Sequence, residues 1–134
     1  MQAMPPLELV REYFRRVGTA QDTAAIGELV SDDVDWFVVG DSQVVPWVGR
    51  RIGKAGVAQF YAILREETAS ERFEVNDILA QGNRVIAIGQ LATRVKRTGK
   101  LIECEFMFDF TVENGRITRF RPFEDSLAIE QAFL

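Results

Sequence analysis

Leu101-Ile102-Glu103-Cys104-Glu105-Phe106-Met107-Phe108-Asp109-Phe110-Thr111-Val112-Glu113-Asn114-Gly115-Arg116-Ile117-Thr118-Arg119-Phe120-Arg121-Pro122-Phe123 reads as two strands joined by a tight turn. Cys104, Phe106, Phe108 and Phe110 face one way, and Glu103, Glu105, Met107 and Asp109 face the other, because successive strand side chains alternate. The phenylalanine face belongs under helices. The acidic face, with its single methionine, belongs to water or to a partner subunit. Asn114-Gly115 between two strand-like runs is the strongest short hairpin signal a sequence offers.

Upstream, Phe73–Ala80 and Val85–Val95 are two further extended runs, set off by Gln81-Gly82-Asn83 and Arg97-Thr98-Gly99-Lys100. With Leu101–Val112 and Ile117–Phe123 they predict an antiparallel meander. The N-terminal part has helical spacing instead. Leu7, Val10, Phe14 and Val17 mark one helix opened by Pro5-Pro6 and ended by Gly18. Asp22 is placed to cap a second short helix carrying Ile26, Leu29 and Val30. Val34–Val39 reads as a strand, and Gly40–Gly53 as an irregular loop with an exposed Trp47. Val57, Phe60, Tyr61 and Leu64 mark a third helix, and Ser126–Leu134 a short last one. The class is α+β: one domain over residues 1–134, helices first and a curved antiparallel sheet second.

Composition narrows the chemistry. The 134 residues include ten phenylalanines, one cysteine and no histidine, with a formal net charge of −4. The usual proton shuttle at neutral pH is therefore missing, and acid–base work falls to a carboxylate, a tyrosine or water. A net negative charge argues against nucleic acid as a partner. No apolar run approaches the roughly 20 residues that cross a bilayer, so no membrane contact is expected. Met1–Pro6 lacks the basic and apolar parts of a signal peptide, which points to the cytoplasm. Cys104 has no partner for a disulfide, and Glu103-Cys104-Glu105 alternates in direction, so neither a zinc cage nor another metal site is expected. No glycine-rich phosphate loop follows a strand, and no cofactor is expected.

The order of elements resembles the nuclear transport factor 2-like superfamily, and within it the SnoaL-like polyketide cyclases and ketosteroid isomerase-related proteins. Asp32-Asp33-Val34-Asp35-Trp36, Trp47–Val57, Phe110–Ile117 and Phe123-Glu124-Asp125 carry the resemblance. It implies a cone: a curved sheet wrapped around the N-terminal helices, leaving a deep apolar pocket for a small hydrophobic molecule. It also implies a homodimer packed through the sheet face. The implied activity is a cofactor-independent isomerase, cyclase or lyase moving a proton on a carbonyl compound. A non-catalytic module of the same shape is the alternative.

Several residues are candidates for that pocket. Asp125 matches the position of the cyclases' acid–base aspartate, and it lies near Phe120, Pro122 and Phe123. Desolvation there would raise its pKa, but the residue also directly precedes a helix and could cap it. Tyr13 corresponds to an oxyanion-hole tyrosine and Asp41 to a general base, the latter within ordinary turn chemistry at Gly40-Asp41-Ser42. Phe108 stands where many relatives carry a histidine, leaving an apolar wall in place of a donor. Trp36, Trp47, Phe60, Phe106 and Phe120 are the other candidate wall residues, with a lid role open to Trp47. Arg121 would turn inward on an anionic group or remain surface charge.

Overall fold

The computed structural model describes residues 3–134. Pro6 starts α1 (Pro6–Thr19), where its missing N–H is harmless, and the helix buries Leu9, Val10 and Tyr13 along one side. A single turn, α2 (Ala24–Gly27), follows, with the Asp22 carboxylate accepting from the Ala24 amide at 2.9 Å. The structure ends this helix earlier than the spacing predicts. Val30 pairs with Ile117, and the Leu29 carbonyl accepts from the Ile117 amide at 2.9 Å, so both residues are drawn into the sheet.

Six strands make one curved sheet: β1 (Val30–Val38), β2 (Gly49–Arg51), β3 (Thr68–Gln81), β4 (Arg84–Val95), β5 (Leu101–Glu113) and β6 (Arg116–Phe123). Their order is β2-β1-β6-β5-β4-β3. The meander β3–β6 is antiparallel throughout, as expected. The whole sheet is mixed, however, because β1 runs parallel to β6. That pairing joins segments more than 80 residues apart and has no local signature. The loop expected to be irregular also holds β2, which pairs antiparallel with β1 through Trp36↔Arg51.

The Asn114-Gly115 turn adopts positive φ at both residues, 53° and 72°, as a tight hairpin of the correct twist requires. The concave face of the sheet is covered by α1, by α3 (Gly53–Glu67), which buries Val57, Phe60 and Tyr61, and by α4 (Ser126–Ala132). Phe106, Phe108 and Phe110 lie on that face and are buried, while Glu103, Glu105 and Met107 are exposed. Asp109 departs from the expected wet face: only 8% exposed, it accepts from Arg84 at 2.7 Å and Arg119 at 3.2 Å. The two guanidiniums on neighbouring strands fold over the carboxylate and replace its water.

Candidate active site

Sheet and helices do not pack to contact everywhere. Between α1, α3, α4 and the concave face lies a cavity of about 410 Å³ with mostly apolar walls. Four of the candidate wall residues, Phe60, Phe108, Phe120 and Trp47, line it. Trp47 is 4% exposed rather than a surface residue, because its indole packs against Phe133 with ring centres 5.4 Å apart. Two expected wall residues stand one layer back. Trp36 is fully buried and stacks on Phe120 at 4.1 Å, and Phe106 lies between Phe73 at 4.9 Å and Phe108 at 4.5 Å.

Tyr13 reaches the cavity from α1, and its hydroxyl is hydrogen-bonded to that of Tyr61 from α3. Both side chains are buried. Burial, reinforced by the charge of nearby Glu124, pushes both phenols well above their ordinary range, so both remain protonated at neutral pH. Two hydroxyls joined by one bond use only one of their two hydrogens. The second hydrogen has no acceptor among the described residues and is free for a ligand oxygen.

The carboxyl that borders this cavity is Glu124 rather than Asp125. Along β6 and its extension, Phe120, Pro122 and Glu124 share one face and line the cavity, whereas Arg121, Phe123 and Asp125 alternate to the other. Glu124 makes no hydrogen bond or ion pair among the described residues. Desolvation pushes its carboxyl up to about 7. Asp125 is exposed and accepts from the Ala128 amide at 3.0 Å, the geometry of an N-cap on α4. Removing that cap in Asp125→Ala is expected to lower stability by about 1 kcal/mol. Urea denaturation checks this, and an unchanged midpoint would show that the cap does not hold α4.

The other two polar candidates lie outside the cavity. Asp41 is exposed, and its side chain accepts from the Gln43 amide at 2.9 Å, closing a turn. Arg121 forks onto both Asp35 oxygens at 2.9 Å on the outer side of the sheet, and Arg50 meets the same carboxylate at 2.6 Å. The two guanidiniums hold the Asp35 carboxyl below the usual carboxylate range. Arg121 is thus committed within the fold.

Sequence reasoning did not assign Tyr61 or Glu124 to the site. Tyr61 carries a helix-face signal, and only the crossing of α1 and α3 brings it to Tyr13. Glu124 has a usable signal in its parity with Phe120.

The SnoaL-like domain family matches residues 10–120, and the chain belongs to that family. Among solved structures, a nuclear transport factor 2-like protein from Burkholderia xenovorans is similar at 26% identity and a TM-score of 0.86, over 96% of this chain and 95% of that one. A proposed isomerase from Bacillus subtilis superimposes with a TM-score of 0.79 at 21% identity, covering 97% of this chain and 96% of its own. A proposed SnoaL-like polyketide cyclase from Mesorhizobium loti gives 0.71 at 18% identity, over 90% and 99% of the two chains. These last two likenesses concern the fold. No curated protein matches the chain. No described helix is long and apolar enough to cross a membrane.

Proposed function

We propose that the chain is a cofactor-independent isomerase or cyclase acting by proton transfer on a small hydrophobic carbonyl compound. The observation that carries this reading is an unpaired carboxyl, Glu124, bordering an apolar cavity beside a tyrosine pair with one unused O–H. A carboxyl near pKa 7 is present in both protonation states at neutral pH, so it can take a proton and return one. Ionised Glu124 removes a proton from the carbon next to the carbonyl. The electron pair moves onto the carbonyl oxygen, and the free hydroxyl hydrogen of the Tyr13–Tyr61 pair donates to that oxygen. Protonated Glu124 then returns the proton at a conjugated carbon, which restores the carboxylate and moves the double bond. A fixed donor in a dry site is worth more than the same donor in water.

An enolisable apolar ketone tests the reading without knowledge of the natural substrate. The methyl protons of 4-acetylbiphenyl, followed by NMR in D2O, should exchange faster with the protein than in buffer. Glu124→Gln should slow that exchange by about 100-fold, and Asp125→Ala should leave it close to the wild-type rate. If the ketone binds and its exchange stays at the buffer rate, proton transfer is ruled out and the cavity only binds.

A further inference from the structure

The cavity has a second polar end. It opens where the C-terminal turn of α1 meets the start of β3, since Gly18 and Ser70 line it and are exposed, and it closes at Tyr13 and Phe120, each 1% exposed. Four polar side chains line the wall near that mouth: Arg65, Thr68, Ser70 and Thr93. Two of them are committed. Arg65 donates to the carbonyls of Val17, Ala20 and Gln21, tying α3 to the end of α1, and Thr68 donates to Leu64 at 2.7 Å. Ser70 and Thr93 are direct cross-strand partners on β3 and β4, and neither hydroxyl has a partner among the described residues.

Strand register fixes how far this pair stands from the acid. Thr93 is opposite Ile102 on β5, while Glu124 lies one residue beyond the Phe123↔Met107 pair. The offset is therefore about four residues along β5 and two to three strands across, roughly 15–20 Å between backbones at ordinary strand spacings. Side chains reaching inward shorten that gap, and the walls between are apolar: Phe73, Leu91, Ile102 and Phe108.

We infer that the substrate is an elongated, uncharged keto-alcohol, its carbonyl held at Glu124 and the tyrosine pair and its distal hydroxyl held by Ser70 and Thr93. A hydroxyl fits because both side chains can donate and accept. An anionic tail finds no free partner there, because Arg65, the one cation lining the cavity among the described residues, is already bound to three carbonyls. The inference rests on the carbonyl-binding reading above, and its test reads binding rather than proton exchange.

Two probes separate the ends: 4-acetylbiphenyl and 4-acetyl-4′-hydroxybiphenyl, titrated calorimetrically at pH 7. The hydroxylated probe should bind the wild-type protein about fivefold more tightly, the worth of roughly one added hydrogen bond. Ser70→Ala with Thr93→Val should bring the ratio to about one while the plain probe keeps its affinity, which also reports an intact cavity. Ser70→Ala alone, at an exposed edge position, should remove part of the gain and covers a fold defect in the double variant. Equal affinities in the wild-type protein, or a ratio that survives the double substitution, would overturn the distal hydroxyl subsite. Loss of proton exchange in Glu124→Gln with the fivefold ratio retained would leave the two ends independently established. Failure of both probes to bind the wild-type protein would sink this inference and the carbonyl reading together.

Discussion

Gly89→Ala is expected to lower the unfolding free energy by about 3 kcal/mol, the upper end of the ordinary range for overpacking. Gly89 lies in β4 with Val75 on one side and Phe106 on the other. A Cβ there would stand 1.9 Å from the Glu74 carbonyl oxygen and 2.6 Å from the tip of the Phe106 ring. Neither neighbour can retreat cheaply. The carbonyl belongs to backbone beside a register shift in β3, between Val75 and Asp77, and Phe106 is held between Phe73 and Phe108. Close approach of a neighbouring backbone is what a glycine inside a strand permits. Urea denaturation should show a lower midpoint with an unchanged slope. Gly18→Ala is the control, because nothing lies within 4 Å of its added carbon and alanine favours the helix that contains it. A loss below about 1 kcal/mol in Gly89→Ala would mean that β3 slides freely over β4.

How much of this was legible in the sequence depends on whether the deciding interaction is local. The meander was, because alternation over Cys104–Phe110 and the Asn114-Gly115 turn are short-range signals, and β5 and β6 run within a residue of their expected limits. The start of β3 was less so. Thr68 follows α3 with no break, and register shifts between Ser70 and Arg72 and between Val75 and Asp77 disturb the period of two. The parallel seam between β1 and β6 was invisible, since a pairing between distant segments leaves no trace in either one. The wall residues Phe60, Phe108, Phe120 and Trp47 could be read as large apolar groups on faces bound for the interior. Their neighbours Trp36 and Phe106 have the same character, and only depth within the fold separates lining from support.

The acid shows the same division at closer range. Glu124 and Asp125 are adjacent carboxyl residues, and both follow the aromatic stretch Phe120–Phe123. Family likeness favours Asp125. Strand parity favours Glu124, two steps from Pro122 and four from Phe120, and the structure follows parity: β6 ends at Phe123, and Glu124 lines the cavity with Phe120 and Pro122. What remained for Asp125 is the task its type performs best ahead of a helix, accepting the Ala128 amide.

The Glu124 assignment has a consequence for stability that needs no substrate. Its carboxyl is raised from 4.5 to about 7 in the folded protein by desolvation. The folded state thus keeps a proton that the unfolded chain releases across this interval, and the unfolding free energy falls as pH rises through it. The loss begins near pH 4.5 and is complete slightly above pH 7, reaching about 3 kcal/mol if the full shift is expressed. Carboxylates held low by arginine neighbours act in the opposite direction and at lower pH: Glu12 beside Arg15 and Arg16, Asp35 beside Arg50 and Arg121, Glu71 beside Arg94. Their contribution is present above the ordinary carboxylate pKa and is lost as pH falls below it, so it does not obscure the interval from 5 to 8. Glu124→Gln keeps the shape of the side chain and removes its titration. The variant should match the wild-type protein near pH 4.5 and exceed it by up to about 3 kcal/mol at pH 8, measured by urea denaturation at one-unit steps. Parallel curves for the two proteins would mean that Glu124 ionises as freely as in water. A carboxyl of that kind has no raised affinity for a proton to lend to chemistry in the cavity.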